Sequence, residues 1–203
     1  ETMYFPDAEV SAFPCFSPAH PHSQAWAIRK ASCKKLCVYL AHKKQPLSIL
    51  EIGCGNGWFS HKLSGISRSK VMGLDINFTE LQQAARVFNN CPKIKFMYGD
   101  ISSGILGDRQ FDIILFAASI QYFESLDVIL DLCLQHLKTD GEIHLADTRF
   151  YHPKEVPAAK ERSDDYFASM GFPGMADHYF HHSINALAQF NHRILYNPFS
   201  ILN

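Results

Sequence analysis

A glycine-rich turn, Glu51-Ile52-Gly53-Cys54-Gly55-Asn56-Gly57, is the first group of residues in this chain whose types and spacing suit ligand binding. Glycines let the backbone turn sharply and let a ligand approach it closely. A dinucleotide fingerprint would require its third glycine at position 58, which is Trp, and no Gly-Lys-Ser/Thr triplet follows for a phosphate loop. The turn therefore predicts a ligand cleft, and its spacing argues against a nicotinamide dinucleotide and excludes a phosphate loop.

Two further carboxylates follow predicted strands. Asp75 lies 18 residues after Gly57, and Asp100 follows Gly99. A carboxylate at position 75 can accept hydrogen bonds from both hydroxyls of a ribose. A carboxylate at position 100 can accept a hydrogen bond from an adenine amino group. Together with Glu51 they suit a ligand rich in hydroxyl and amino groups better than one rich in phosphate.

These residues need a common scaffold, and the pattern of apolar runs predicts one. Strands alternate with helices in the order β-α-β-α-β-loop-β-α-β, which is typical of an α/β doubly wound, mostly parallel sheet with helices on both faces. Such sheets bind ligands at the carboxyl ends of their strands, beside the point where the strand order reverses. The predicted strands are 47–52, 71–74, 94–98, 111–117 and 142–146, the last after a turn at Asp140-Gly141, and the predicted helices are 58–63, 79–88 capped by Thr79, and 126–137.

The flanks are less regular, and the whole chain is predicted to be a single domain. Its four parts are an N-terminal extension and helix over 1–46, a ligand-binding core over 47–148, a lid or acceptor segment over 149–191 and a C-terminal strand over 192–203. Four prolines predict irregular structure over 1–22. The finer predictions for the flanks are a helix over 24–43 capped by Ser23, a helix over 154–170 ended by Gly171, a short helix over 183–190 capped by Ser183, and a strand over 193–196.

Composition excludes several classes of protein. Lys and Arg number 19 and Asp and Glu 20, so the net charge is −1 and there is no basic excess for a nucleic-acid partner. No apolar run approaches the roughly 18 residues of a membrane-spanning helix, and no polybasic run indicates a membrane surface. The six cysteines form no CxxC pair and are interpreted as buried thiols. We therefore expect a cytoplasmic protein with neither a nucleic acid nor a membrane as partner, and with no resident metal.

In order and spacing, five of these features resemble the successive motifs of class I S-adenosylmethionine-dependent methyltransferases. The resemblance covers about residues 47–148, and Thr139 and Asp140 depart from it by standing where the family usually has Pro-Gly. The features are the turn 51–57, Asp75, Gly99-Asp100, the strand 111–115 and the segment 137–142.

The resemblance implies S-adenosyl-L-methionine as the cofactor, with S-adenosyl-L-homocysteine as its product, and assigns roles by position. Glu51 and the glycine turn would contact the methionine part of the cofactor, Asp75 the ribose hydroxyls, and Asp100 the adenine edge. The end of the fourth strand would close over the sulfonium group. The residues so implied are Glu51, Gly53, Cys54, Gly55, Asn56, Gly57, Asp75, Ile76, Asp100, Ile101, Phe116, Ala117 and Ala118.

The methyl acceptor is expected to be a small molecule bound by the flanks. In the resembled family the acceptor pocket is built by N-terminal segments, the loop after strand four and insertions after strand five. Residues 49–148 hold only 10 of the 26 aromatic residues and 3 of the 11 histidines, so both types are concentrated in the flanks. Histidine titrates near neutral pH and can act as a general base. The candidate catalytic residues are His181, His152 and Tyr151.

The sequence thus predicts an S-adenosylmethionine-dependent methyltransferase acting on O, N or C of a small acceptor. The loop after strand four lacks the (Asp/Asn)-Pro-Pro-(Tyr/Phe) tetrapeptide of amino-adenine methyltransferases, which argues against an adenine base as acceptor. Two alternatives stay open. One is a non-catalytic module that keeps the cofactor-binding fold, and the other is a nicotinamide-dependent oxidoreductase, against which Trp58 argues.

Overall fold

The structure is a computed structural model, and it describes residues 4–16, 20 and 22–195. The chain divides into two compact units. The first lies within Glu1–Ile120 and Val128–Thr148, and the second within Gln121–Asp127 and Arg149–Asn203. The second unit thus takes up the loop after the fourth strand and the predicted acceptor segment, and the first contains every predicted cofactor residue.

A five-stranded parallel sheet forms the centre of the first unit and confirms the predicted fold class. Its strand order is β3-β2-β1-β4-β5, so the order reverses between β1 and β4. The strands are β1 Leu47–Ile52, β2 Ser69–Asp75, β3 Ile94–Tyr98, β4 Phe111–Ala117 and β5 Leu137–Ala146. The carboxyl ends of β1 and β4 therefore flank a topological switch point, where this kind of sheet binds ligands.

The predicted turn at Asp140-Gly141 is wrong, because these residues lie inside β5. Phe111 pairs with Leu137 and Ile113 with Glu142, so the register shifts between these two pairs. The extra residues of β5 are accommodated as an irregularity within the strand, which keeps both of its ends paired with β4.

The described residues form six α-helices, and none of these is long and apolar enough to cross a membrane. Short 3-10 helices cover 101–103, 120–122, 153–155, 173–178 and 184–187. The α-helices are α1 Asp7–Ala12, α2 Ser23–Ala41, α3 Trp58–Ser64, α4 Phe78–Val87, α5 Leu126–Gln135 and α6 Val156–Ser169.

Both faces of the sheet are buried, which explains why its strands read as continuous apolar runs. Successive side chains of a strand point to opposite faces, and Ile49 and Leu50 are both fully buried. On one face, Leu36 and Leu40 of α2 and Leu63 of α3 pack against the side chains of β1, β2 and β4. The helix that precedes the sheet in sequence therefore becomes one of its covering layers.

Several predictions for the N-terminal flank and for the helix caps are wrong in detail. Residues 7–12 form α1 although prolines predicted irregular structure, because Pro6 occupies the N-cap and leaves the helix free to begin after it. Asn77 rather than Thr79 caps α4, its side chain accepting a hydrogen bond from the Glu80 amide. His22 rather than Ser23 is the N-cap of α2.

Two predictions concern the last part of the chain. The Ser183 cap is confirmed, since its side chain accepts a hydrogen bond from the Asn185 amide, but the structure that follows is a 3-10 helix of four residues instead of an α-helix. Residues 193–195 form no strand, and the remainder of the predicted C-terminal strand lies outside the described residues.

Much of the aromatic excess of the N-terminal flank packs into a cluster within the first unit. Phe13 and Trp26 are almost fully buried, and their rings lie 4.1 Å apart. Phe5 meets Phe13 edge to face at 5.0 Å. The segment is tied to α4 by an ion pair of 2.6 Å between Asp7 and Arg86. These aromatic side chains thus anchor the N-terminal segment to the fold.

A carboxylate network ties three strands together at the amino edge of the sheet. Asp112 of β4 accepts hydrogen bonds from the amide and hydroxyl of Ser48, at 2.7 and 2.6 Å, and from Lys138 at 2.8 Å. Burial alone would raise the pKa of Asp112, but these hydrogen bonds hold it below its usual value. The carboxylate therefore stabilises the fold in its ionised form.

We expect the Asp112→Ala variant to lose about 1–3 kcal/mol of unfolding free energy at pH 7, because the Ser48 amide loses its acceptor. The stabilisation by a carboxylate with a lowered pKa is present above the pKa of the unfolded chain, about 3.9, and is lost as the pH falls. The difference between wild type and variant in urea titrations should therefore shrink below about pH 4. The exposed Asp108→Ala control should change stability by less than about 0.5 kcal/mol, and equal losses for both variants would contradict this role of Asp112.

Candidate functional site

The glycine turn is held at the carboxyl edge of β1, beside the switch point. Gly53, Gly55 and Gly57 all adopt left-handed backbone conformations, with φ of 70°, 51° and 75°. The Gly53 amide donates to the Leu74 carbonyl of β2 at 2.8 Å. On the other side, the buried Ser119 hydroxyl donates to the Ile52 carbonyl at 2.6 Å. The loop is therefore fixed between the ends of β2 and β4.

Two of the glycines are required by packing as well as by conformation. A Cβ on Gly57 would lie 2.5 Å from the Phe96 ring and 2.9 Å from Cβ of Ala84, and one on Gly53 would lie 2.5 Å from Cβ of Ser119. Asn56 contributes by accepting a hydrogen bond of 3.4 Å from the Trp58 amide at the start of α3. The loop is thus packed so closely against the protein that neither Gly53 nor Gly57 can be replaced by a residue with a side chain without displacing its neighbours.

Asp75, at the end of β2, connects the next strand to this loop. Its Oδ2 accepts a hydrogen bond of 2.6 Å from the Gly55 amide, and its Oδ1 accepts one of 2.7 Å from the Asn77 amide. Each oxygen of a carboxylate has room for a second hydrogen bond. The carboxylate can therefore hold the loop and still accept two donors from a ligand, such as the two hydroxyls of a ribose.

Glu51 lies beneath the loop and is almost fully buried. It accepts a hydrogen bond of 2.5 Å from the Ser60 hydroxyl of α3. Burial raises the pKa of Glu51 to about 8, and the charge of Asp75 adds to this, against the effect of the Ser60 hydrogen bonds. A cationic group bound at the loop would favour the ionised form of Glu51 and would thereby be favoured itself.

Glu80 of α4 is a site residue that the sequence analysis missed. Its Oε2 lies 2.9 Å from the position of a Cβ on Gly55, so the carboxyl group borders the loop. Burial and the nearby charge of Asp75 raise its pKa to about 6. In the sequence it reads as an ordinary acidic residue of a first helical turn, and only its position five residues after Asp75 points to the cleft.

Cys54 is a buried part of the loop and not a reactive group. It is 4% exposed, and a Cβ on Gly73 would lie 2.8 Å from its sulfur. Burial raises the pKa of its thiol well above the usual value, and the nearby carboxylates add to this. The thiol therefore packs the turn against β2 in its neutral form.

The ends of β2 and β3 carry residues with different roles. Ile76 is 68% exposed at the rim of the sheet, whereas Ile101 is buried. Asp100 uses Oδ1 to accept hydrogen bonds of 2.7 Å from both the amide and the hydroxyl of Ser102, and so caps the 3-10 helix that follows. Its second oxygen is free of these two contacts and can face a ligand.

The end of β4 provides backbone more than side chains. The side chain of Phe116 is fully buried, whereas Ala117 and Ala118 are partly exposed. Ala118 has a φ of 55°, a conformation that is uncommon for residues other than glycine. Its amide donates to the Ala146 carbonyl of β5 at 2.9 Å. Strained backbone of this kind is concentrated at functional sites.

The three predicted catalytic residues lie in the second unit and have defined contacts there. His152 caps the 3-10 helix Pro153–Glu155, accepting a hydrogen bond from Lys154 while Glu155 accepts one from the His152 amide. Nε2 of His181 lies 2.9 Å from the Ser163 hydroxyl. The ring of Tyr151 lies 5.5 Å from that of His181. His152 thus has a structural role, and Tyr151 and His181 are neighbours.

Comparison with known proteins by sequence finds similarity to methyltransferases. Residues 49–141 match a family model described as a methyltransferase domain. Malonyl-[acyl-carrier protein] O-methyltransferase 1 of Ilyobacter polytropus is 29% identical over 98 residues, 48% of this chain and 36% of that protein. The Haemophilus influenzae enzyme of the same name is 32% identical over 110 residues, 54% of this chain and 41% of that protein. The matched part of the chain thus spans less than half the length of these relatives.

Solved structures show the same fold at low sequence identity. The YcgJ protein from Bacillus subtilis aligns with a TM-score of 0.62 and 16% identity, covering 77% of this chain and 65% of that one. The plantazolicin methyltransferase BpumL was solved with a substrate analogue and S-adenosylhomocysteine (SAH). It aligns with a TM-score of 0.60 and 21% identity, covering 90% of this chain and 66% of that one. At these identities the likeness establishes the fold.

The Gly57→Ala variant should lose at least about 2 kcal/mol of unfolding free energy, because a left-handed alanine is strained and its Cβ would overlap the Phe96 ring. Gly174→Ala is a matched control, since Gly174 has open space around its Cα and no left-handed φ. Urea titrations of both variants give the comparison. If Gly57→Ala were as stable as Gly174→Ala, the loop would not be packed as described.

Proposed function

We propose that this chain, whose residues 49–141 belong to the class I S-adenosylmethionine-dependent methyltransferases, binds S-adenosylmethionine at the glycine loop and transfers its methyl group to a small-molecule acceptor. The observation that carries the proposal is the loop itself. Its bare backbone lies at the switch point of the sheet, and the Asp75 carboxylate beside it keeps acceptor capacity on both oxygens.

The residues present suit this cofactor in shape and in charge. The glycine loop carries no side chain at three of its positions, and Asp75 can accept hydrogen bonds from the two ribose hydroxyls. Ile76 at the rim offers an apolar surface for the adenine ring, with the free oxygen of Asp100 for its amino group. Glu51 and Glu80 lie near the loop, and a ligand that carries a sulfonium and an ammonium group would favour their ionised forms and be favoured by them.

When bound, the cofactor supplies an electrophilic methyl group that an acceptor lone pair takes by in-line displacement, leaving a neutral thioether. The chain's own contribution is to position the reactants and to exclude water, since a displacement of this kind needs alignment more than acid or base. We assign the alignment to the partly exposed backbone of Ala117 and Ala118. Their position beside the loop is fixed by the Ser119 and Ala146 hydrogen bonds.

For the acceptor we propose a small molecule bearing a carboxylate, because the sequence relatives are malonyl-[acyl-carrier protein] O-methyltransferases. A carboxylate is ionised at neutral pH, so its methylation needs no general base. A hydroxyl or ammonium acceptor would need one. The chemistry of the acceptor therefore decides whether the chain requires a catalytic base.

We keep His181 as the proposed base for an acceptor that must lose a proton, with Tyr151 beside it and His152 as the least suited of the three. Burial, together with the charge of Arg162, lowers the pKa of His181, so its imidazole is neutral and able to accept a proton at neutral pH. His152 is already engaged in capping a helix. No finding in the fold or the comparisons favours the non-catalytic module or the oxidoreductase.

We expect the purified chain to bind S-adenosylmethionine and its product with one site per chain, measured by calorimetry.

We also expect it to methylate malonyl-pantetheine, detected by mass spectrometry as the addition of one methyl group. His181→Gln should leave activity on this carboxylate unchanged, because no base is needed. Absence of binding of both cofactor forms would overturn the proposed function, and binding without transfer to a panel of carboxylate, hydroxyl and amine acceptors would favour the non-catalytic module.

Asp75→Asn should weaken binding of SAH by about 1–3 kcal/mol, because one hydroxyl loses a charged acceptor. The loss should be smaller for the 2′-deoxy analogue of SAH, which lacks one of the two hydroxyls. Asp108→Asn, an exposed substitution in the same unit, provides the control. Equal losses for both ligands would mean that Asp75 acts only through the loop and not on the ribose.

A further inference from the structure

The N-terminal half of α2 lies along the carboxyl edge of the sheet, as two contacts of the first unit show. The ring of Trp26 lies 5.3 Å from that of Trp58, the residue that follows the glycine loop. Two turns further along the helix, the Ser32 hydroxyl donates a hydrogen bond of 2.6 Å to Asp147, the residue that follows β5. The helix therefore reaches from the end of β1 to the end of β5, across the switch point.

Arg29 lies midway between these two contacts and presents a charged group at the same edge. Its guanidinium carbon lies 4.9 Å from the centre of the Trp26 ring, so the side chain rests on a nearly buried aromatic surface. None of the carboxylates in the described part of the chain lies within 4.0 Å of it. A partly buried guanidinium that makes no ion-pair contact is suited to a planar anion, which it can bind through two parallel hydrogen bonds.

Asp147 supplies the opposite charge close by. Its φ of 55° is a strained conformation for a residue other than glycine, and Ser32 holds one of its oxygens. Burial raises the pKa of Asp147, and the Ser32 hydrogen bond and the charge of Arg29 act against this. The carboxyl edge of the sheet thus carries a cation and an anion near the end of β5, two strands from the strand that bears the glycine loop.

From this placement we infer that Arg29 is a carboxylate-binding residue of the active site. Asp147, held by the Ser32 hydrogen bond, orients the Arg29 guanidinium group through its charge. The inference rests on the proposed function, because the ligand is a carboxylate brought to the switch point. Two sources share this chemistry. One source is the amino-acid carboxylate of the cofactor, and the other is the carboxylate of the acceptor. The cofactor is the nearer source, because Trp26 contacts both Arg29 and Trp58 at the start of α3.

The experiment compares ligands with and without the carboxylate. Arg29→Gln should weaken SAH binding at least about tenfold in calorimetry, as expected for loss of a charge-assisted hydrogen bond. It should leave binding of the decarboxylated analogue, which keeps the amine, unchanged within about twofold. Arg29→Lys, which retains the charge but not the planar fork, should fall between Arg29→Gln and the wild type. Lys30→Gln removes a neighbouring exposed charge and should leave both affinities unchanged.

Each outcome supports or overturns the inference separately from the proposed function. If the wild type bound neither cofactor form, the proposed function itself would fail. Unchanged SAH affinity in Arg29→Gln, with an apparent affinity for malonyl-pantetheine reduced about tenfold, would assign the acceptor as the carboxylate source. Equal affinities of wild type and Arg29→Gln for all three ligands would refute the role of Arg29. An equal loss of affinity for SAH and for its decarboxylated analogue would also refute it. Urea titrations show whether the variant is folded.

Discussion

The hydrogen bond from the Gly55 amide to the Asp75 carboxylate is the contact on which the proposed cofactor cleft depends. It joins the loop after β1 to the end of β2, which lie 20 residues apart in sequence, and so holds three left-handed glycines in one conformation. The loop in turn sets where α3 begins and how closely Phe96 and Ala84 can pack against its back. A single carboxylate thus shapes the loop and is left with the hydrogen-bonding capacity that a ribose needs.

The buried carboxylates at the switch point make the site favour a cationic group. Glu51 and Glu80 both lie near Asp75, and burial raises the pKa of each, so their ionised forms are disfavoured unless a positive charge lies nearby. A cationic ligand relieves this cost, whereas an anionic one would add to it. At the other side of the switch point, Arg29 supplies the opposite charge. The edge is therefore suited to a ligand whose positive and negative groups lie apart, as in an amino acid attached to a sulfonium.

The aromatic excess of the flanks has two physical origins. In the N-terminal flank, Phe13 and Trp26 are part of a buried cluster that fixes α1 and α2 to the sheet. In the second unit, the rings of Tyr151 and Tyr179 lie 5.5 and 5.4 Å from that of His181, and all three residues are partly exposed. Aromatic residues in the first flank thus serve packing, and those of the second unit remain the candidates for contact with an acceptor.

The five strands, the glycine loop and Asp75 could be predicted from the sequence, because each is encoded locally by an apolar run, a spacing of glycines or a strand end. Caps and short helices were predicted less well, since neighbouring residues such as Asn77 and Thr79 compete for the same role. Only the tertiary structure brings Glu80 to Gly55, Ser119 to Ile52, and Arg29 and Ser32 to Asp147. The residues of these pairs lie between 25 and 118 positions apart in sequence. No local pattern records them, because they meet only where the parallel strands of the sheet end at one edge.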